Sequence, residues 1–135
     1  MIVGSHKRML VYKKTDFKCA CCGSSKDLMC ACFIPEWTRI VDDNIDNLIP
    51  LCLDCYLNRK CNFIELGHLR YLPKLYIQQL VRYYKSISKY LYKYVRMYGH
   101  YRTSGKIDVD KSILILSSYD SYYEENKDEL KWENL

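Results

Sequence analysis

Between Lys74 and Tyr98 the chain contains neither glycine nor proline, and Ile77, Leu80, Tyr84, Ile87, Leu91, Tyr94 and Tyr98 recur at intervals of three and four. That spacing stacks their side chains on one face and predicts a long amphipathic helix. Pro73 suits a first helical turn, where its missing N–H leaves no bond unmade, and Gly99 is expected to cap the far end. Arg82, Lys85, Lys89, Lys93 and Arg96 fall on the opposite face. At about 100° per residue they span an arc of about 80°, a narrow basic stripe.

The other apolar runs are short. Leu28 to Ile34 (LMCACFI) reads as a buried strand ended by Pro35, and Leu48-Ile49-Pro50-Leu51 is a second such run. From Leu53 a helix is expected, with Asp54 in its first turn, where the helix dipole favours a negative charge, and Arg59 and Lys60 further on. Met9 to Tyr12 fits a short helix or strand, and Ile113 to Leu116 fits a strand or the start of a last helix; periodicity does not separate these. The polar loop from Glu36 to Asn47 holds Asp42, Asp43 and Asp46 but lacks the central glycine and terminal glutamate of a calcium loop, so it is expected to be plain exposed loop. Thr103 to Lys106 (TSGK) reads as a turn. The mixture predicts an α+β chain in three parts: a small module over 1–66, a basic helical extension over 67–102, and a mixed C-terminal segment over 103–135 with an acidic end.

Cysteine spacing changes the picture most. Cys19-x2-Cys22 and Cys52-x2-Cys55 are two knuckles, which together offer the four soft ligands that tetrahedral zinc takes. Eight cysteines without a secretion segment favour metal over disulfides. Gly23 is free to take the positive φ that a tight metal-binding turn needs. One structural Zn2+ on Cys19, Cys22, Cys52 and Cys55 is expected. Cys21, inside the first pair, is expected to point away from the ion, and Cys30, Cys32 and Cys61 are expected to be buried thiols, as free cysteines commonly are. The alternative, a second soft-metal site on Cys30, Cys32, Cys61 and His68, would suit magnesium poorly.

Charge is uneven. From Tyr119 to Leu135 six acidic residues stand against two lysines, a balance of −4, so residues 1–118 carry +9 of a chain whose net charge is +5. A basic body of this kind is compatible with a polyanionic partner, and Tyr83, Tyr90 and Tyr92 flank the basic stripe where they could stack on bases. The acidic end could fold back on the basic helix or meet a basic protein. With no run of about eighteen apolar residues and no apolar leader, an intracellular protein, cytoplasmic or within a host cell, is expected, with no membrane role. Richness in Lys, Tyr, Ile and Asn is what AT-rich genomes, including those of viruses and phages, tend to encode.

In order, Cys19-x2-Cys22-Gly23, Leu28-x6-Pro35, Asn47-Leu48-x2-Leu51-Cys52-x2-Cys55 and the basic Arg59 resemble the HNH endonuclease family over residues 8–60. The resemblance implies a ββα-metal (treble-clef) module whose four cysteines hold structural zinc while a separate site holds a catalytic metal. It also implies where catalysis should sit. The family's Asp-His pair, metal ligand and general base, falls here on Ala31 and Cys32, and its last histidine or asparagine falls on Tyr56. Asn47 alone survives as a weak catalytic candidate.

Phosphodiester hydrolysis needs an activated water and a divalent metal, so this loss predicts little nuclease activity. The favoured expectation is a non-catalytic HNH-like zinc protein that binds DNA or RNA through Arg82, Lys85, Lys89, Lys93 and Arg96, as a viral or phage regulatory or transcription component. A second expectation is a protein-interaction module that inhibits or joins a host or viral nuclease or polymerase. The third is a divergent HNH nuclease using Asn47 and replacement ligands.

Overall fold

The computed structural model describes residues 3–38, 44–59, 62–101 and 107–129. Its elements in chain order are α1 (Ser5–Lys13), β1 (Leu28–Cys32), β2 (Leu48–Cys52), α2 (Leu53–Arg59), α3 (Lys74–Tyr101) and α4 (Val109–Asn126), with short 3-10 turns at Glu36–Thr38, Ile45–Asn47 and Leu66–His68. The Met9–Tyr12 run is therefore helical, and Ile113–Leu116 lies inside the last helix. Asp108 caps α4, its side chain accepting the Lys111 N–H at 3.0 Å.

β1 and β2 form an antiparallel pair in which Leu28 faces Cys52 and Cys32 faces Leu48. The predicted strand over Leu28 to Ile34 is shorter and less buried than expected: it ends at Cys32, and only Ala31 within it is buried. The ladder stops because Asn47 takes it over. Phe33 N–H donates to the Asn47 carbonyl at 2.8 Å, and Ile34 N–H donates to Asn47 Oδ1, also at 2.8 Å. β2 is buried along its whole length. Pro50, which has no N–H for a ladder, offers its carbonyl to Ala20 N–H at 2.8 Å and so ties the first knuckle to the strand.

A buried lysine fastens α1 to this hairpin. Lys14 Nζ donates to the carbonyls of Ile45 at 2.7 Å and Leu48 at 2.8 Å, the two ends of the turn that enters β2. Burial pushes its ammonium down to about 8, against a smaller upward pull from Asp46.

α3 packs across the turns Glu36–Thr38 and Ile45–Asn47, and α4 runs back along it. The antiparallel sense is fixed by Lys74 with Glu129 at 2.9 Å, Lys85 with Asp120 at 3.5 Å, and Tyr84 OH donating to the Leu116 carbonyl at 3.3 Å. The helix does not stop at Gly99 as expected. A Cβ there would come within 2.9 Å of Val109 Cγ2, so the glycine serves the close approach of α4 and the helix runs on to Tyr101. The buried face is also rotated slightly from the expected one. Val81 and Val95 join Leu80, Tyr84 and Leu91 in the core, while Ile77, Ile87, Tyr94 and Tyr98 are half-buried, because α4 covers one flank of the helix.

Tyr119 of α4 joins these layers. Its ring centroid lies 4.9 Å from that of Phe33 and 5.2 Å from that of Tyr84, and its hydroxyl donates to the Ile64 carbonyl. One hydrophobic cluster thus runs from Cys19 and Ala20 through Ile49 and Leu51 to Leu91 and Leu116. No helix among the described residues is long and apolar enough to cross a membrane.

Two outcomes are expected in urea unfolding. Tyr119→Ala should cost about 3–5 kcal/mol, as other buried aromatic truncations do, whereas Tyr119→Phe should cost about 1–3 kcal/mol by stranding the Ile64 carbonyl. For Lys14, the unfolded chain keeps its proton up to the ordinary lysine value near 10.5 and the folded chain releases it at about 8. Between those values the unfolded state binds more protons, so this group makes stability rise with pH. Lys14→Met should remove that part of the rise, measured as the change in unfolding free energy between about pH 8 and pH 10 in both proteins.

Candidate metal centre

The first cysteine pair sits on a loop that closes on itself. Cys19 N–H donates to the Ser24 carbonyl at 2.7 Å, and Gly23 N–H donates back to the Cys19 carbonyl at 3.0 Å. Gly23 has φ +80, the left-handed region expected of it, and the Tyr71 ring lies 2.7 Å from where a Cβ would be. Any side chain at Gly23 would meet both obstacles. Tyr71 is itself held over the loop by its N–H on the Ala20 carbonyl at 2.9 Å. The second pair needs no special turn: Cys52 is the last residue of β2 and Cys55 lies in the first turn of α2.

All four sulfur atoms lie within 4.8 Å of one another, and Cys22 Sγ and Cys52 Sγ are 3.6 Å apart. A tetrahedral ion with metal–sulfur bonds of about 2.3 Å would set these edges near 3.8 Å. The four thiols are free rather than paired in disulfides. They therefore lie close enough to hold one metal ion.

Their electrostatics fit a cation. Burial pushes the Cys19 thiol up, but hydrogen bonds from the backbone of Cys22, Cys52 and Cys21 outweigh it and bring the group down to about 7. Cys52 and Cys55 are held above the ordinary thiol range by burial and by bonds shared with neighbouring sulfurs. Four thiolates this close repel one another, and a bound dication supplies the positive charge that lets all of them ionise. Cys19, Cys52 and Cys55 face inward, whereas Cys22 is exposed.

The remaining predicted residues scatter. Cys30 and Cys32 are half-buried, contrary to expectation, because β1 leaves one face open to a cleft. Among the described residues neither they nor His68 belongs to a group able to ligate a metal; Cys61, like Asp42 and Asp43, lies outside those residues. His68 Nε2 pairs with Glu65 at 3.3 Å. Asn47 is fully buried, its amide oxygen accepting Ile34 N–H at 2.8 Å and its amide nitrogen donating to the Ile34 carbonyl at 3.4 Å. Ala31, Cys32 and Tyr56 do converge, lining a cleft of about 310 Å³ with Glu36, Arg59 and Asn62. Cys32 Sγ lies 3.8 Å from Glu36 Oε1, and burial, reinforced by that carboxylate, pushes its thiol up to about 12.

On α3, Arg82, Lys89, Lys93 and Arg96 are exposed. Lys85 is not like them. It is half-buried, pairs with Asp120 at 3.5 Å, and lies 5.1 Å from the centroid of the Tyr123 ring. Asp120 also accepts the Tyr92 hydroxyl at 2.6 Å, which turns that tyrosine toward α4. The sequence reading missed Asp120 as a partner of the stripe because the pair joins residues 35 apart. Part of the acidic end, Asp120 and Glu129, thus does fold back on the basic helix.

Comparisons with protein-family models, with curated proteins and with solved structures return no match for this chain. The class that fold and site define is an α+β protein with a four-cysteine cluster able to hold one metal ion.

Cys52→Ser should abolish stoichiometric metal binding and lower the unfolding temperature sharply, because metal held by a structural site contributes folding free energy. Cys30→Ser, outside the cluster, should leave both unchanged. Elemental analysis of the purified chains and thermal unfolding with and without a chelator check the pair.

Proposed function

We propose that this chain is a non-catalytic, zinc-binding protein of HNH-like, ββα treble-clef architecture that binds nucleic acid through α3, as a viral or phage regulatory or transcription component. Four thiolates at these spacings favour zinc over oxygen-loving cations. The resemblance to the HNH family is supported by the order knuckle, β1, β2, α2, with the second cysteine pair at the strand-to-helix junction.

The observation that carries the non-catalytic reading is the cleft where the family would place its chemistry. Ala31 offers no ligand, and Cys32, held as a neutral thiol, takes no proton from water at neutral pH. Asn47 is spent on the Ile34 backbone. Glu36 is the one carboxylate among the described residues lining that cleft, and it faces the Cys32 thiol. The nucleic-acid reading is supported by the cationic outer face of α3, where Lys89, Lys93 and Arg96 stand exposed within two turns.

The protein-interaction reading has one observation in its favour. Leu53 and Leu57, one turn apart on α2 beside the cysteine cluster, are 45% and 56% exposed. A protein partner such as a nuclease or polymerase seated there would cover them.

The test is a titration of a labelled, mixed-sequence nucleic acid with magnesium present at about 50 and 200 mM salt. The expected outcome is an intact probe, affinity that falls steeply with salt, and a marked further loss when Lys89, Lys93 and Arg96 are all replaced by Gln. A cut probe would restore the nuclease. Affinity unmoved by salt or by the triple substitution would leave the protein-interaction reading.

A further inference from the structure

α4 and the turn that follows it divide the basic face of α3 into two unlike halves. Towards the N-terminal end, Glu129 takes Lys74 at 2.9 Å and Gln78 at 3.1 Å, and Asp120 takes Lys85 at 3.5 Å. Arg82 is likewise engaged within the chain. Beyond Asp120 the picture changes. Lys89, Lys93 and Arg96 are exposed, and Lys93 and Arg96 make no ion pair among the described residues. At about 1.5 Å per residue these three cations form a strip about 10 Å long.

A second strip runs beside the first. Tyr90 is 55% exposed and Met97, two turns on, is 41% exposed. They lie about 60° and 40° round the helix from Lys93 and span the same length of about 10 Å. Lys89 Nζ sits over the Tyr90 ring, 5.5 Å from its centroid, so a cation and a half-exposed aromatic ring are presented together at one place. Tyr92, by contrast, is turned away and bound to Asp120.

We propose that the partner of this surface is a single-stranded nucleic acid, with its phosphates along Lys89, Lys93 and Arg96 and its bases on Tyr90 and Met97. A single strand has a charged edge and a row of open base faces, which match the two parallel strips. A duplex buries its base faces in the stack and would meet only the cations. The inference rests on the nucleic-acid reading above and adds strandedness and footprint to it. Lys85, neutralised by Asp120, lies outside that footprint. Stacking and phosphate pairing are common to RNA and single-stranded DNA, so the experiment separates the two.

Labelled oligo-U, oligo-dT and a mixed-sequence duplex, each about 12 nucleotides long, are titrated by fluorescence anisotropy between about 50 and 200 mM salt. One or both single strands should bind more tightly than the duplex, and their ranking identifies the ribose. Tyr90→Leu should weaken single-strand binding on the order of tenfold without changing the salt slope. Replacing Lys89, Lys93 and Arg96 by Gln should flatten that slope by about 2, or about 0.7 for each lost phosphate contact. Lys85→Gln should change neither. Equal or tighter duplex binding, a neutral Tyr90→Leu, or a Lys85→Gln that weakens binding as much as Lys89→Gln would overturn this inference while leaving nucleic-acid binding in place. No salt-dependent binding to any probe would remove both.

Discussion

Four cysteine sulfurs drawn from two points of the chain some 30 residues apart lie within 4.8 Å of one another, and much of the small module is arranged around that meeting. The knuckle loop is pinned to β2 by Ala20 and Pro50, β2 hands Cys52 to the cluster at its last residue, and α2 starts in time to supply Cys55. A two-stranded sheet is marginal by itself, so the hairpin depends on what is packed around it. Lys14 and Asn47 give polar support from within, each satisfying backbone groups that the short strands leave over.

The second organising constraint is the antiparallel packing of α3 and α4 against the module. Tyr119 lies where all three layers meet, touching Phe33, Tyr84 and the Ile64 carbonyl. The same packing sets the electrostatics of the outer surface. Glu129 and Asp120 pair with Lys74 and Lys85 on one flank of α3, whereas Lys89, Lys93 and Arg96 further along stand exposed with no ion pair among the described residues. A stripe that looks uniform along the sequence is thereby partitioned. In the proposed function, this partition confines phosphate contacts to a short length of helix.

With no match in the three comparisons, the HNH resemblance rests on motif residues and element order. What the geometry adds is chemical. The cleft beside β1 presents Ala31, a neutral Cys32 thiol and Tyr56, and Asn47 is a structural strap beneath the hairpin.

Local pattern determined a good deal about this protein. The long helix followed from its period, Gly23 from the tight turn after a knuckle, and the four-cysteine cluster from two Cys-x2-Cys pairs, because each depends on residues a few positions apart. Features set by distant contacts were not legible. Gly99 looked like a cap because nothing nearby in sequence announces Val109 pressing on it, and Lys85 looked like one more cation of a solvated stripe because Asp120 lies 35 residues away. The buried strand came out short and half-open because Asn47, not another strand residue, takes the Phe33 and Ile34 amides. Sequence periodicity reports which face an element buries; which partner covers that face, and which charges it cancels, is decided only when the chain is packed.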